Sequence, residues 1–208
     1  TLNTPSATDT VADVAYPVAN TAYYKLDNNA NDSAQSGYIG QGGIFNGSSS
    51  FINAGFIPSL VTQTFSISTW IKFSSLTNNQ AFISNYVSSG GTSRGWFFRY
   101  NTTDGIQFAF RNSTTDVSLS NGYHPTIGQW VHICVSVSPT SKTLYINGVS
   151  NATLGADNIV YLGNQETYFA RLGILSLQYF GGSIDQVRIF PTALSSSNVA
   201  LLYAETSA

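Results

Sequence analysis

Apolar and polar residues alternate with a period of two along several short runs of this chain. That period belongs to β-strands, whose successive side chains point to opposite faces. Between Phe65 and Phe73, the positions Phe65, Ile67, Ile71 and Phe73 fall on one face, and Ser66, Ser68, Trp70 and Lys72 on the other. Val131, Ile133, Val135 and Val137 alternate in the same way with His132, Cys134, Ser136 and Ser138. Trp96–Tyr100 and Ile106–Arg111 flank the run Asn101–Gly105, whose closing Asp104-Gly105 pair predicts a hairpin. A turn at Pro139 and the run Lys142–Ile146 lead to Asn147-Gly148, the pair that supplies the positive φ angles of a tight type I′ turn. The Asn/Gly/Ser-rich tracts Asn28–Gly43 and Tyr86–Arg94 read as loops. Strands outnumber helices, turn signals recur, and no internal repeat is visible. The pattern is that of a sandwich or barrel.

The two ends differ from this body. Thr1 to about Asn20 has no clean period and reads as an extended arm or linker, leaving 21–208 as the β-domain. Near the C-terminus, Ser195 can cap a short helix running to about Tyr203. Leu194 before the cap and Val199 in the helix can form a hydrophobic staple, and Val199, Leu202 and Tyr203 share the face expected to dock.

Composition narrows the function classes. Charged residues make up 9% of the 208 positions, against about 25% in ordinary domains. The net charge of −2 offers no basic field for phosphates, which argues against nucleic-acid binding. No apolar stretch is long enough to span a membrane. Cys134 is the one cysteine, so no intrachain disulfide forms, and its apolar strand favours a core thiol over a nucleophile. The chain begins at Thr1 and contains no Met, which we read as a processed chain or a piece of a longer polypeptide.

Four segments, in order, resemble the laminin-G-like, concanavalin-A-like jelly-roll family. They are Tyr23-Tyr24-Lys25-Leu26-Asp27 with Asn31-Asp32-Ser33; Gly43–Ile52 with the Phe65 strand; Gly128-Gln129-Trp130-Val131-His132-Ile133 leading to Leu144–Val149; and the tail from Ile184 to Tyr203. The resemblance implies an all-β, two-sheet antiparallel jelly-roll sandwich with a short C-terminal α-helix. The wording of the motifs is similar to laminin-G-like domains of bacteriophage virion proteins, such as tail fibres and capsid decorations.

Asp185 shares a period-two face with Val187 and Ile189, which places it on the face expected to enter the core. A buried carboxylate needs hydrogen-bond donors or a cation. The resemblance implies a structural calcium held by this aspartate and by an acidic loop nearer the N-terminus. Asp32 matches that loop best, with Asp27 and Asn46 behind it. The other reading is that Asp185 accepts backbone N–H bonds at a strand end. Trp96, Tyr100, Tyr123, Tyr168 and Tyr179 fall in or near loops beside Asn, Gln and Ser. Such rings either stack on sugar or pack against the domain or a neighbouring subunit. Trp70, off the core row of its strand, either stacks on sugar or is covered by the other sheet layer or the C-terminal helix. Arg188 is expected on the face opposite to that of Asp185, as a surface or inter-sheet ion-pair partner, and His132 as a structural strand residue. Sequons at Asn31, Asn46, Asn101, Asn112 and Asn151 are of the kind such a composition produces by chance.

The jelly-roll superfamily includes glycosidases, which need two carboxyl groups close together. The two glutamates are Glu166, expected alone in a loop, and Glu205 at the chain end. No strand carries paired carboxylates, and no nucleophile, phosphate-loop or zinc motif is present. The sequence reading is therefore a non-catalytic module, and the resemblance implies a structural or adhesive part of a phage particle. Its arm would join it to other virion subunits, and it would adhere to cell-surface glycans. The alternative is a secreted or cell-surface lectin-like module, and a glycoside hydrolase relative ranks below both.

Overall fold

A computed structural model describes residues 22–24, 42–77, 79–89, 92–173 and 178–205. In chain order its elements are β1 (Ala22–Tyr24), β2 (Gly43–Asn46), β3 (Ile52–Phe56), a 3-10 turn (Pro58–Val61), β4 (Phe65–Phe73), β5 (Gln80–Ser89), β6 (Thr92–Asn101), β7 (Gly105–Arg111), β8 (Asp116–Leu119), β9 (Trp130–Val137), β10 (Lys142–Ile146), β11 (Val149–Leu154), β12 (Glu166–Phe169), β13 (Gly181–Phe190) and α1 (Ser196–Ala204). The arm at 1–20 lies outside the described residues.

The strands form two antiparallel sheets packed as a sandwich. One has the order β1-β13-β4-β9-β10-β11, with β2 also on β13. Because β2 pairs with Gly181–Ile184 and β1 with Val187–Ile189, these two short strands share one edge end to end. The other sheet has the order β3-β12-β5-β6-β7-β8. Period-two alternation does the sorting. Phe65, Ile67, Ile71, Phe73, Val131, Ile133, Val135 and Val137 of the first sheet face Phe82, Trp96, Phe98, Ile106, Phe108 and Phe110 of the second, and all are buried. Each fully buried ring or branched side chain contributes about 1.5–3 kcal/mol of apolar transfer. Asn147 and Gly148 take φ of 50° and 77°, the two positive angles that the tight turn between β10 and β11 requires.

The other face of the first sheet is roofed by the C-terminal segment. Ser66 Oγ donates to the Thr192 carbonyl (2.8 Å) and accepts from Leu194 N (2.9 Å), while Ser136 Oγ donates to the Leu194 carbonyl (2.9 Å). Ser195 Oγ caps α1 through Asn198 N at 3.3 Å. Leu194, Val199 and Leu202 then close over Cys134, Tyr145 and Phe190. Trp70 stacks on Tyr203, with centroids 5.6 Å apart and planes 22° apart, so its ring serves helix docking and not a sugar.

Five expectations are corrected. Residues 86–94 belong largely to β5 and β6 and not to a loop, and Glu166 opens β12. Trp96 is a mid-strand residue of β6. In β13, Gln186 adopts φ +48° and the register skips between Asp185 and Arg188. That bulge resets the alternation. Ile184, Val187 and Ile189 all face the core, while Asp185 pairs with Trp70 on the roofed face. Asp185 therefore does not share the face of Val187 and Ile189. The same reset brings Arg188 onto the Asp185 side, where its guanidinium, only 2% exposed, binds the Glu205 carboxylate through both terminal nitrogens.

Candidate functional site

The aromatic residues expected at a binding surface separate into two groups. Trp96 is fully buried. Its Nε1 donates to the Leu60 carbonyl at 3.1 Å and its ring meets Phe65, Phe98 and Phe108. Tyr100 is also buried, edge-on to Phe73, with its hydroxyl 3.0 Å from His124 Nδ1. Neither ring presents a face to the surface, so both are corrected from ligand candidates to core. Tyr123 is half-buried against the core, and its carbonyl accepts from Ile106 N at 2.9 Å. It holds the β6–β7 hairpin: a Cβ on Gly105 would sit 2.2 Å from the Tyr123 oxygen.

Tyr168 and Tyr179 do come together, at the β3–β12 edge of the second sheet, around a residue that sequence reasoning passed over. Phe51 lies 6.3 Å from Tyr168 and 6.5 Å from Tyr179, centroid to centroid, and is 40% exposed. The Arg171 guanidinium carbon sits 3.8 Å from the Phe51 centroid and 4.3 Å from that of Tyr168, so a cation lies between two ring faces. Arg171 itself is 8% exposed. The Tyr168 hydroxyl donates to Glu166, whose carboxylate also accepts from Asn53 Nδ2 at 3.2 Å. Burial, reinforced by the bond to Glu166 and its charge, holds the Tyr168 hydroxyl above its usual pKa, so it stays a neutral donor.

The backbone fixes this cluster from below. After β12, Ala170 turns with φ +64° and donates to the Phe82 carbonyl at 2.8 Å. Ser84 Oγ then donates to the Arg171 carbonyl and accepts from Gly173 N, each at 2.8 Å. Gly173 can pass there because it has no Cβ, which would stand 1.9 Å from the Tyr86 oxygen. Leu172, in between, packs with Tyr86, Phe97 and Ala109 on the outer face of the second sheet. Arg171 is therefore held by anchored backbone on both sides. Its signal in the sequence is one arginine inside the otherwise apolar run Tyr168-Phe169-Ala170-Arg171-Leu172.

The residues considered for calcium are not assembled by the described structure. Asn46 pairs with Gly181, four positions before Asp185 along β13, which separates the two by about 13 Å at the strand rise. The Asn46 amide oxygen accepts instead from the N–H groups of Ser48, Ser49 and Ser50 (2.9–3.0 Å), an Asx-type turn. Asn46 is thereby corrected to a turn former. Asp185 is buried, with one carboxylate oxygen accepting from Gln186 N at 2.7 Å. Asp27 and Asp32 lie outside the described residues. Among the described residues no three His, Cys, Asp or Glu side chains converge. The two glutamates are far apart in role: Glu166 serves Tyr168 and Asn53, and Glu205 serves Arg188.

Residues 46–200 match the family described as the concanavalin A-like lectin/glucanases superfamily, and the chain belongs to it. No curated protein sequence matches the chain. Among solved structures, domain 4 of AbnA, an extracellular arabinanase of Geobacillus stearothermophilus in complex with arabinotriose, is similar at 23% identity and TM-score 0.66 over 86% of this chain and 84% of that one. A SAP-like pentraxin of Limulus polyphemus shares 14% identity at TM-score 0.60, covering 77% of this chain and 80% of its own. The CBM40 domain of the Ruminococcus gnavus IT-sialidase, bound to α2,3-sialyllactose, shares 15% at TM-score 0.58, covering 77% and 97%. At these identities the likeness establishes the fold.

Proposed function

We propose that this domain is a non-catalytic glycan-binding module acting outside the cell, with its binding surface at the β3–β12 edge. The observation that carries the reading is the surface-reaching Phe51 ring beside Tyr168 and Tyr179, with Arg171, Glu166 and Asn53 as polar neighbours. An apolar ring face covers the C–H face of a pyranose or furanose, and flanking amide, carboxylate and guanidinium groups bond its hydroxyls. Among the described residues, the roofed face of the first sheet offers no comparable platform, since Trp70 is stacked under Tyr203. Similar domains solved with arabinotriose and sialyllactose support a glycan as ligand. The virion role implied by the resemblance to phage domains has no such support, and the lectin-like alternative takes its place. A structural calcium near Asp185, with Asp27 and Asp32 as further ligands, belongs to the same proposal.

A glycan array is the direct test. The wild-type chain is expected to bind a subset of glycans, and Phe51→Ala to lose that binding by at least about tenfold, the order expected for one stacking ring. Leu162→Ser, at a 57% exposed residue elsewhere, is the control. Retention of full affinity by the Phe51 variant would move the site elsewhere, and no binding to any glycan would end the proposal.

A further inference from the structure

We infer that Arg171 makes the β3–β12 site selective for acidic glycans, with the guanidinium forking onto a sugar carboxylate. This rests on the glycan-binding reading above and adds the chemical class of ligand. A guanidinium is always charged, and a buried charge calls for a counter-charge. Arg171 is more than nine-tenths buried, yet no carboxylate lies within ion-pair distance of it among the described residues. Arg111 and Arg188 each have an acid partner. The Nε atom of Arg171 is buried without a hydrogen-bond acceptor. Its polar neighbour is the Tyr168 hydroxyl, which is neutral and gives its proton to Glu166. Tyr168 and Asn53 both donate to Oε2 of Glu166.

The Phe51 and Tyr168 rings stand on adjacent sides of the cation, and beyond its bond to the Tyr168 hydroxyl its terminal N–H groups are the ones left to meet a ligand. A planar carboxylate is the group that an in-plane fork meets with two parallel hydrogen bonds. Phe51 and Tyr179 would lie beside it to receive the sugar ring that carries the carboxylate. Sialic and uronic acids combine these two parts, an apolar C–H face and a carboxylate on the ring. Sulfated sugars share the charge without the planarity.

The test compares each acidic probe with its own methyl ester, which removes the charge and keeps the ring. Isothermal titration of the full chain would use α2,3-sialyllactose, trigalacturonate, the methyl ester of each, a sulfated galactose trisaccharide and neutral arabinotriose. At least one acid is expected to bind ten or more times tighter than its ester, with the preference shrinking as salt rises. Arg171→Gln is expected to erase the acid–ester difference, and Arg171→Lys, which keeps charge but not the fork, to restore only part of it. Melting curves of both variants check folding, and the ester comparison on the wild-type chain stands without them. Equal affinity for acid and ester, or a preference for the sulfated probe, overturns the inference and leaves glycan binding intact. Binding to none of the six overturns the inference, and only the absence of binding to any glycan on the array overturns the reading beneath it.

Discussion

Lowering the pH should loosen the roof over the first sheet through one residue, His132. Its ring is fully buried between β9 and the C-terminal helix, 5.3 Å from the Trp70 ring and 5.9 Å from that of Tyr203, with Nε2 2.8 Å from Ser68 Oγ. Burial first, and the Arg188 charge second, push its pKa from 6.5 down to about 3. The unfolded chain, with an ordinary imidazole, takes up a proton below about pH 6.5, whereas the folded chain refuses it until about pH 3. The unfolded state binds more protons in that window, so stability is full above the unfolded value and falls as pH drops through it. Between pH 7 and pH 4 the loss attributable to this residue is about 3 kcal/mol, a large part of the roughly 5–15 kcal/mol typical of a domain. Urea unfolding at both pH values, on the wild-type chain and on His132→Gln, isolates the term, because the carboxylates titrate in both proteins. The variant should start less stable at pH 7 and lose about 3 kcal/mol less on acidification. Equal losses would refute the reasoning.

Other outcomes follow from the same geometry. Gly148→Ala forces a side chain onto φ +77° with its Cβ 3.0 Å from Tyr203, and should cost about 1–3 kcal/mol, read as a lowered melting temperature. Burial pushes the Cys134 thiol well above its usual pKa, so the folded chain should resist iodoacetamide at pH 8 and react only in denaturant. If calcium bridges Asp185 to the loop acids Asp27 and Asp32, chelation should lower the melting temperature by several degrees and Asp185→Asn should abolish that shift. An unchanged midpoint removes the metal.

Strand identity was legible wherever the alternation was uninterrupted, as in β4 and β9, and turn identity where Asn147-Gly148 spelled out its own φ angles. The helix cap was legible because Ser195 acts on its immediate neighbours. The facing of Asp185 was not. The bulge shifts the alternation by one residue, so that Ile184 and Val187, three positions apart, both face the core, and Ile184-Asp185-Gln186-Val187-Arg188 reads in two phases until Gln186 is seen at φ +48°. Trp96 looked like a loop residue because Thr92-Ser93-Arg94-Gly95 has no alternation, although Gly95 at φ +91° continues the strand. The proposed binding patch was half legible. Tyr168 and Tyr179 stood out as aromatics, whereas Phe51 and Arg171, 120 positions apart in sequence, meet only through the pairing of β3 with β12.

The claim most exposed to test is where the ligand sits. Titrating the isotopically labelled chain with the best glycan from the array, and following amide and side-chain shifts by NMR, should move Phe51, Asn53, Glu166, Tyr168, Arg171 and Tyr179 together while leaving the helix-roofed sheet unchanged. Shifts gathered around α1 or the β10–β11 turn instead, with the Phe51 edge silent, would contradict the account.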